Sequence, residues 1–323
     1  MSAVLININD ILVEESRFSL KGFFFESDLN KASTEDSFKH LGILHPVIVC
    51  EDKDKRFHLI DGKKRIQFAR QSRTEKISTI VLAGSTPVTD IVTLVLSDRR
   101  SEIGQSVINK ILFICFSEAV GAPESWILNA LCVQFGFKPY IEFLKDCKRI
   151  NDLPEKIKLF CHEKKFSMKQ ILNLSHYPED ILLQLMQWRS VIQLTASTMD
   201  ELASNLKDHL RAQTRTIKDF VLENEVQEVI LSSMSPRDKT ERLRKLIHAK
   251  RFPVLSEINT RIEEKVSQLH LPECISVNWD RTLENKNVEV IVRLHDHDKF
   301  KGLLEILDSI EVNKAVKDIL DEL

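Results

Sequence analysis

The chain has 323 residues and a formal net charge of -2, from 46 Lys and Arg against 48 Asp and Glu, with 43% hydrophobic and 29% charged residues. This composition excludes a disordered chain and a globally basic polyelectrolyte, and the length predicts two or three domains, each able to bury its own core. The most apolar stretch, Ile111 to Phe116, lies between Lys110 and Glu118 and falls far short of the ~18 residues of a membrane span.

The opening MSAVLININD has no basic segment followed by an apolar one, so no signal peptide is expected. The six cysteines, at 50, 115, 132, 147, 161 and 274, form no CxxC pair and sit mostly in apolar runs. That pattern predicts reduced, buried thiols, with neither a zinc site nor a disulfide framework, in a soluble cytoplasmic protein with no membrane partner.

In chain order, residues 1–85 carry short β-rich runs at Val4 to Ile8, Pro46 to Cys50, Phe57 to Ile60 and Ile77 to Leu82. Thr34 is positioned to cap a first helix that passes through Ser37-Phe38-Lys39-His40-Leu41 and stops at Gly42. A second helix opens at Gly62 and runs to Arg70, with Ile66, Ala69 and Phe68 toward the sheet. From Thr86 to Lys250 the period is helical throughout, punctuated by Pro123, Pro139, Pro154, Pro178 and Pro236. The end reverts to mixed structure: a helix from Leu255 to Leu269, strands Ile275 to Trp279 and Val288 to Leu294, and a helix from Lys299 to Ile310. The expected fold class is α+β, with a small N-terminal domain (1–85), an all-α middle domain (86–250) and an α-β-β-α module (251–323).

The small net charge hides local asymmetry. Arg237 to Arg251 holds seven Lys or Arg against two acids, a local +5, whereas residues 252–323 hold nine against fifteen, a local -6. The basic segment suits phosphate and the acidic module suits a protein partner.

The run Leu41-Gly42-Ile43-Leu44-His45-Pro46-Val47-Ile48-Val49 is followed, after a charged hairpin, by Phe57-His58-Leu59-Ile60-Asp61-Gly62-Lys63-Lys64-Arg65-Ile66-Gln67-Phe68-Ala69. Physically this is strand, turn, strand, then a glycine opening a helix whose first turn carries three cations. A helix start offers free amides and a positive dipole end, so cations there are disfavoured unless they hold an anion or point elsewhere. Anion binding and a solvated face are both compatible with the pattern.

These runs resemble the N-terminal domain of ParB-type partition proteins and the related sulfiredoxin fold, with Gly42, Pro46, Val49, Ile60, Gly62, Lys64, Arg65 and Ala69 matching in order and spacing. The resemblance implies a ParB/sulfiredoxin-like domain that grips the phosphates of a nucleotide, CTP in partition proteins, with Mg²⁺ as its companion. Its candidate nucleotide-binding residues are His45, Gly62, Lys63, Lys64 and Arg65. His45 stands where the family usually has Gln, and Lys63 where it often has Glu. Leu96-Ser97-Asp98-Arg99-Arg100-Ser101-Glu102-Ile103 is a faint echo of the next family box and adds Arg99 and Arg100 as candidates. These departures point to weak or absent hydrolysis. Sulfiredoxin chemistry needs a thiol inside the glycine box, where this chain has Lys63 and Lys64.

A second constellation spans Ile127 to Ile150: a helix with Leu128, Leu131 and Phe135 ends at Gly136, and Pro139 is expected to start another bearing Ile141, Leu144 and Ile150 on one side. This is helix-turn-helix arithmetic, although any pair of antiparallel helices can share it. Lys138, Tyr140, Lys145, Lys148 and Arg149 would face the groove of double-stranded DNA. Leu153-Pro154-Glu155-Lys156-Ile157 and the stretch from Lys164 to Ile171 continue the resemblance to ParB-type proteins. It covers residues 1–190 and implies a DNA-binding homodimer on the nucleoid, in partition or transcription regulation.

Two alternatives stay open. One is a nuclease or nucleotide-dependent phosphotransferase, which needs carboxylates such as Asp61, Glu35 or Asp36 to hold a metal or take a proton. The other is a non-catalytic interaction scaffold. His162, His176 and His248 lack partners at metal-ligand spacing. His295-Asp296-His297-Asp298 is expected to cap the last helix, and Phe23-Phe24-Phe25 to pack in a loop.

Overall fold

The computed structural model describes residues 2–20, 38, 40–294 and 300–322, without the side chains of residues 300 and 310. The expectations for Phe23 to Phe25, Thr34, Glu35, Asp36, Ser37, Lys39 and His295 to Asp298 lie outside the described residues. The architecture is α+β: a mixed five-stranded sheet, many helices, and a separate two-stranded sheet. Contacts group the chain into two compact units, residues 1–186 and 187–323.

The first unit opens with strands β1 (Val4–Asn7) and β2 (Ile11–Leu12), then β3 (Val47–Glu51), β4 (Phe57–Asp61), helix α1 (Lys63–Gln71) and β5 (Lys76–Leu82). The sheet order is β1-β5-β3-β4-β2. β3 runs parallel to β5, with Val47 opposite Thr79, and antiparallel to β4, with Val49 opposite Leu59. The first β run stops at Asn7, one residue earlier than its apolar pattern suggests. The Asn7 side chain accepts the Asn9 amide at 3.0 Å and starts a 3₁₀ turn, the local competition typical of Asn. The chain then returns as β2, which is too short to show any alternation.

Inward-facing Ile6, Ile8, Ile11, Val47, Val49 and Leu59 form the sheet's core with Ile66 and Ala69 of α1. Phe68 is only half-buried and packs on Phe38, with ring centroids 5.3 Å apart. Cys50, the residue after Val49 on β3, is also buried.

The same unit continues with α2 (Val88–Asp98), α3 (Arg100–Gly104) and α4 (Val107–Ala119). Ile108, Ile111, Leu112, Phe113 and Ile114 are buried, so the most apolar run of the chain is a core helix. No helix among the described residues is long and apolar enough to cross a membrane. Ser106 caps α4 by accepting the Asn109 amide, and its hydroxyl meets the buried His162 Nδ1 at 2.8 Å.

Residues 124–134, here α5, are helical with a π turn at Ile127–Leu131. They end at Gly136, whose φ is +76°. The next helix, α6, spans Phe143–Asn151, four residues later than a Pro139 start. Residues 137–142 are not helical, and Ile141 is fully exposed instead of joining Leu144 and Ile150. Then follow α7 (Glu155–Glu163), α8 (Met168–Leu174) and α9 (Glu179–Trp188). Ser167 and Gln170 close a capping box at the start of α8.

The second unit contains α10 (Ala196–Gln213), α11 (Ile217–Val221), α12 (Asn224–Leu231), α13 (Pro236–Arg251) and α14 (Pro253–Gln268). The antiparallel hairpin β6 (Ile275–Trp279) and β7 (Val288–Val292) follows, then α15 (Phe300–Leu307) and α16 (Ile310–Glu322). The expected α-β-β-α pattern therefore carries one helix more. The helix predicted over Lys299 to Ile310 ends at Leu307, and the Ser309 hydroxyl accepts the Val312 amide at 3.3 Å to start another. Ile262, Val277 and Ile319 form this module's small core.

All six cysteines are free, and four of them are buried. Burial pushes the Cys115 and Cys161 thiols up to about 12 and Cys132 to about 11, which keeps them protonated and unreactive.

Candidate functional site

The glycine box folds as a strand running directly into a helix. β4 ends at Asp61, and Gly62 takes φ +110°, a left-handed conformation that side-chain-bearing residues rarely adopt. A Cβ at Gly62 would stand 2.6 Å from Val47 Cγ1. Only glycine lets the chain turn this tightly against β3, and the turn aims the start of α1 outward. The first-turn amides of α1 have no intrahelical acceptors and no acidic side chain among them.

Three of the expected cations are held by acids. Lys63 Nζ lies 2.7 Å from Glu14 Oε1. The Arg65 guanidinium folds back, donating to the His45 carbonyl at 3.3 Å, to the Pro46 carbonyl and to the Asp61 carboxylate. Arg99 reaches the other Asp61 oxygen at 3.5 Å and Glu102 at 3.1 Å. The dipole argument accounts for this: a cation in the first turn is repelled by the helix end, and Arg65 relieves the repulsion by turning toward a carboxylate before the helix. Lys64 and Arg100 are exposed and pair with no acid among the described residues. His45 is exposed and contributes its carbonyl.

A cleft of about 270 Å³ opens at this turn, bounded by Gly62, Lys63, Lys64, Gln67 and Arg99 on its polar side and by Val13, Phe18 and Leu59 on its apolar side. A second cleft of about 500 Å³ is lined by His45, Pro46, Arg65 and Asp98. Asp61 borders both. Asp98 sits beside Asp61, and its carboxyl is raised above the ordinary carboxylate range, first by lost hydration and then by the Asp61 charge. Glu14, Asp61 and Asp98 were not singled out as anion-site residues by sequence. The one available signal was the four-residue spacing of Asp61 and Arg65, which straddles the helix start.

The second candidate region is brought together on α6 and the segment before it. Lys145 pairs with Glu142 at 2.9 Å, Lys148 with Glu118 at 2.8 Å, and Arg149 with Asp146 at 3.4 Å. The Tyr140 hydroxyl donates to Asp146 and is pushed up to about 12 by lost hydration and by that bond. Lys138 is exposed and has no acidic partner among the described residues.

On α13 the basic run is likewise divided. Arg244 makes three bonds to Glu201, two at 3.0 Å and one at 2.7 Å, and a fourth to Glu241 at 2.8 Å; Lys250 meets Glu223 and Glu225; Arg251 pairs with Asp208; and the buried Lys239 donates to the Ile230 carbonyl. Arg237, Arg242 and Lys245 stay exposed and unpaired among the described residues.

No protein-family model matches the chain, and no curated protein matches it. Solved structures do. The C-terminally truncated chromosome-partitioning protein ParB from Caulobacter crescentus, complexed with CTP-gamma-S, is 12% identical, with a TM-score of 0.25 over 58% of this chain and 99% of that one. The same protein complexed to the centromeric parS site is 12% identical, with a TM-score of 0.28 over 62% of this chain and 98% of that one. Both neighbours are ParB structures, from the family whose motifs the sequence resembles. Neither superposition assigns a role to a residue of this chain.

Proposed function

We propose that the chain is a DNA-binding protein of the partition type, in which a nucleotide taken up at the Gly62 turn controls closure of a dimer on DNA. The observation that carries this reading is the turn itself: a left-handed glycine, at which a Cβ would clash with Val47, starts a helix beside a cleft lined by Lys64, a cation unpaired among the described residues. Amides and cations converging on one concave surface recognise phosphate. The CTP specificity and the accompanying Mg²⁺ come from the motif resemblance.

The DNA surface in this reading is a helix-turn-helix formed by α5 and α6. Lys138 is its available cation, and Tyr140, Lys145, Lys148 and Arg149 reach phosphate by exchanging their present acidic partners. Arg237, Arg242 and Lys245 add sequence-independent contacts. The C-terminal module supplies the homodimer or another protein contact. Among the described residues no third strand pairs with β7, whose Val290 and Ile291 are each 38% exposed, and a two-stranded sheet of this kind gains from a further strand. The protein would act on the nucleoid.

Fluorescence anisotropy with a pool of duplex DNA, titrated with salt, tests the DNA part, and the absence of salt-dependent binding sinks it. Calorimetric titration with CTP tests the nucleotide part independently. The nuclease reading is less favoured, because the two guanidiniums on Asp61 compete with any metal ion there.

A further inference from the structure

We infer that Asp61 acts as a built-in competitor at the anion site, a carboxylate that holds Arg65 and Arg99 together until the phosphates of a nucleotide displace it. This deepens the proposed nucleotide site and rests on it.

The argument begins with exposure. Lys63 and Glu14 are 45% and 67% exposed, so their pair is weak and opens readily. Arg65 and Asp61 are only 19% and 12% exposed, and Arg65 is further fixed by two backbone carbonyls. Half-withdrawn from water, this pair is harder to open without a replacement anion. Asp61 uses one oxygen for Arg65 and the other for Arg99. A phosphate can replace it at both places, because phosphate oxygens accept from guanidinium donors in the same way as carboxylate oxygens do.

The position of Arg99 gives displacement a mechanical consequence. It is the junction residue between α2 and α3, following Asp98 and preceding Arg100. Asp61 is the last residue of β4, so the Asp61–Arg99 bond ties the end of the sheet to the start of the helical region. Asp98 lines the same cleft as Asp61 and Arg65, so a second carboxyl faces this pair. Two carboxyls and two guanidiniums thus form a closed group. An incoming polyphosphate must break that group, freeing the α2–α3 junction as it binds.

The test compares full-length wild-type chain with Asp61→Asn and Asp61→Glu, titrated with CTP and with inorganic tripolyphosphate. Asparagine keeps the shape and loses the competing charge, so Asp61→Asn should bind both ligands about tenfold tighter, equivalent to about 1.4 kcal/mol, whereas Asp61→Glu should stay near wild type. A wild-type protein that binds CTP beside an Asp61→Asn protein that binds no tighter overturns the competitor while leaving the nucleotide site intact. If no variant binds either ligand at millimolar concentration, the nucleotide site fails and the competitor fails with it. Hydrogen exchange on the wild-type chain gives a readout independent of any variant's folding. Amides of residues 98–104 should exchange faster when CTP is bound, and unchanged or slower exchange overturns the coupling.

Discussion

The Gly62 turn and the α6 region each gather cations in a short span, yet the two hold them differently. At the turn, Arg65 is 19% exposed and bound to a carboxylate and two carbonyls. Along α6, Lys145 and Lys148 are 65% and 59% exposed in pairs with surface glutamates. The first arrangement is specific and costly to rearrange; the second is loose and can exchange its partners for another anion at little cost. A count of charges in the sequence treats these regions alike, and only burial separates them.

The largest expected effect comes from breaking the rigid side. Gly62→Ala forces a side chain into a left-handed conformation and against Val47, which should destabilise the first unit by about 2–4 kcal/mol. Urea unfolding followed by circular dichroism measures it; a loss below about 1 kcal/mol would show that β3 yields and that the turn is not obligatory.

Lys64→Ala probes the first-turn cation of α1 that has no acidic partner among the described residues. CTP affinity should fall about tenfold, the scale of one charge-assisted hydrogen bond, while DNA binding without nucleotide stays unchanged. Parallel titrations of both ligands check this, and an equal loss for both would mean that one surface serves both ligands.

On the loose side, free and paired cations should differ. Lys138→Ala and Arg242→Ala remove exposed charges that are unpaired among the described residues, and each should lower the slope of log affinity against log salt by about 1 if it meets a phosphate. Arg244→Ala should leave that slope alone, since its guanidinium is committed to Glu201, and should instead lower the melting temperature of the second unit. Identical slopes for Arg242→Ala and Arg244→Ala would mean that pairing does not determine which cations are available.

Much of the fold was legible in the sequence because it is encoded locally. The runs at Val47 and Phe57, the glycine opening α1 and the proline before α7 each carry their own signal, and all appear in place. What escaped depends on partners distant in the chain or on segments too short to have a period. β2 has two residues. The late start of α6 goes with the Tyr140 to Asp146 bond and an unwound segment after Pro139, neither of which alters the apolar spacing. At the site, the need for Gly62 was readable, but the direction of Arg65 was not. A helix-start cation can equally wait for a ligand or turn back, and the choice here depends on Asp61, Arg99 and the carbonyls that β3 brings alongside.

The smallest expected effect concerns Asp98 and has a definite sign. Its carboxyl is raised in the folded chain, so folding favours the protonated form. The stability this contributes is present in full below the ordinary carboxylate value and is lost as pH rises through the raised value. Above its raised value the ionised Asp98 opposes the Asp61 carboxylate. Asp98→Asn should raise the stability of the first unit there by less than about 1 kcal/mol, a figure kept low because the group is largely exposed. The gain should shrink to nothing as pH falls into the acid range, where wild-type Asp98 is itself protonated. Thermal melts of both proteins across pH 4 to 8 give the comparison. A stabilisation independent of pH would trace to lost packing or helix propensity, and would remove Asp98 from the charge group that separates the rigid site from the loose one.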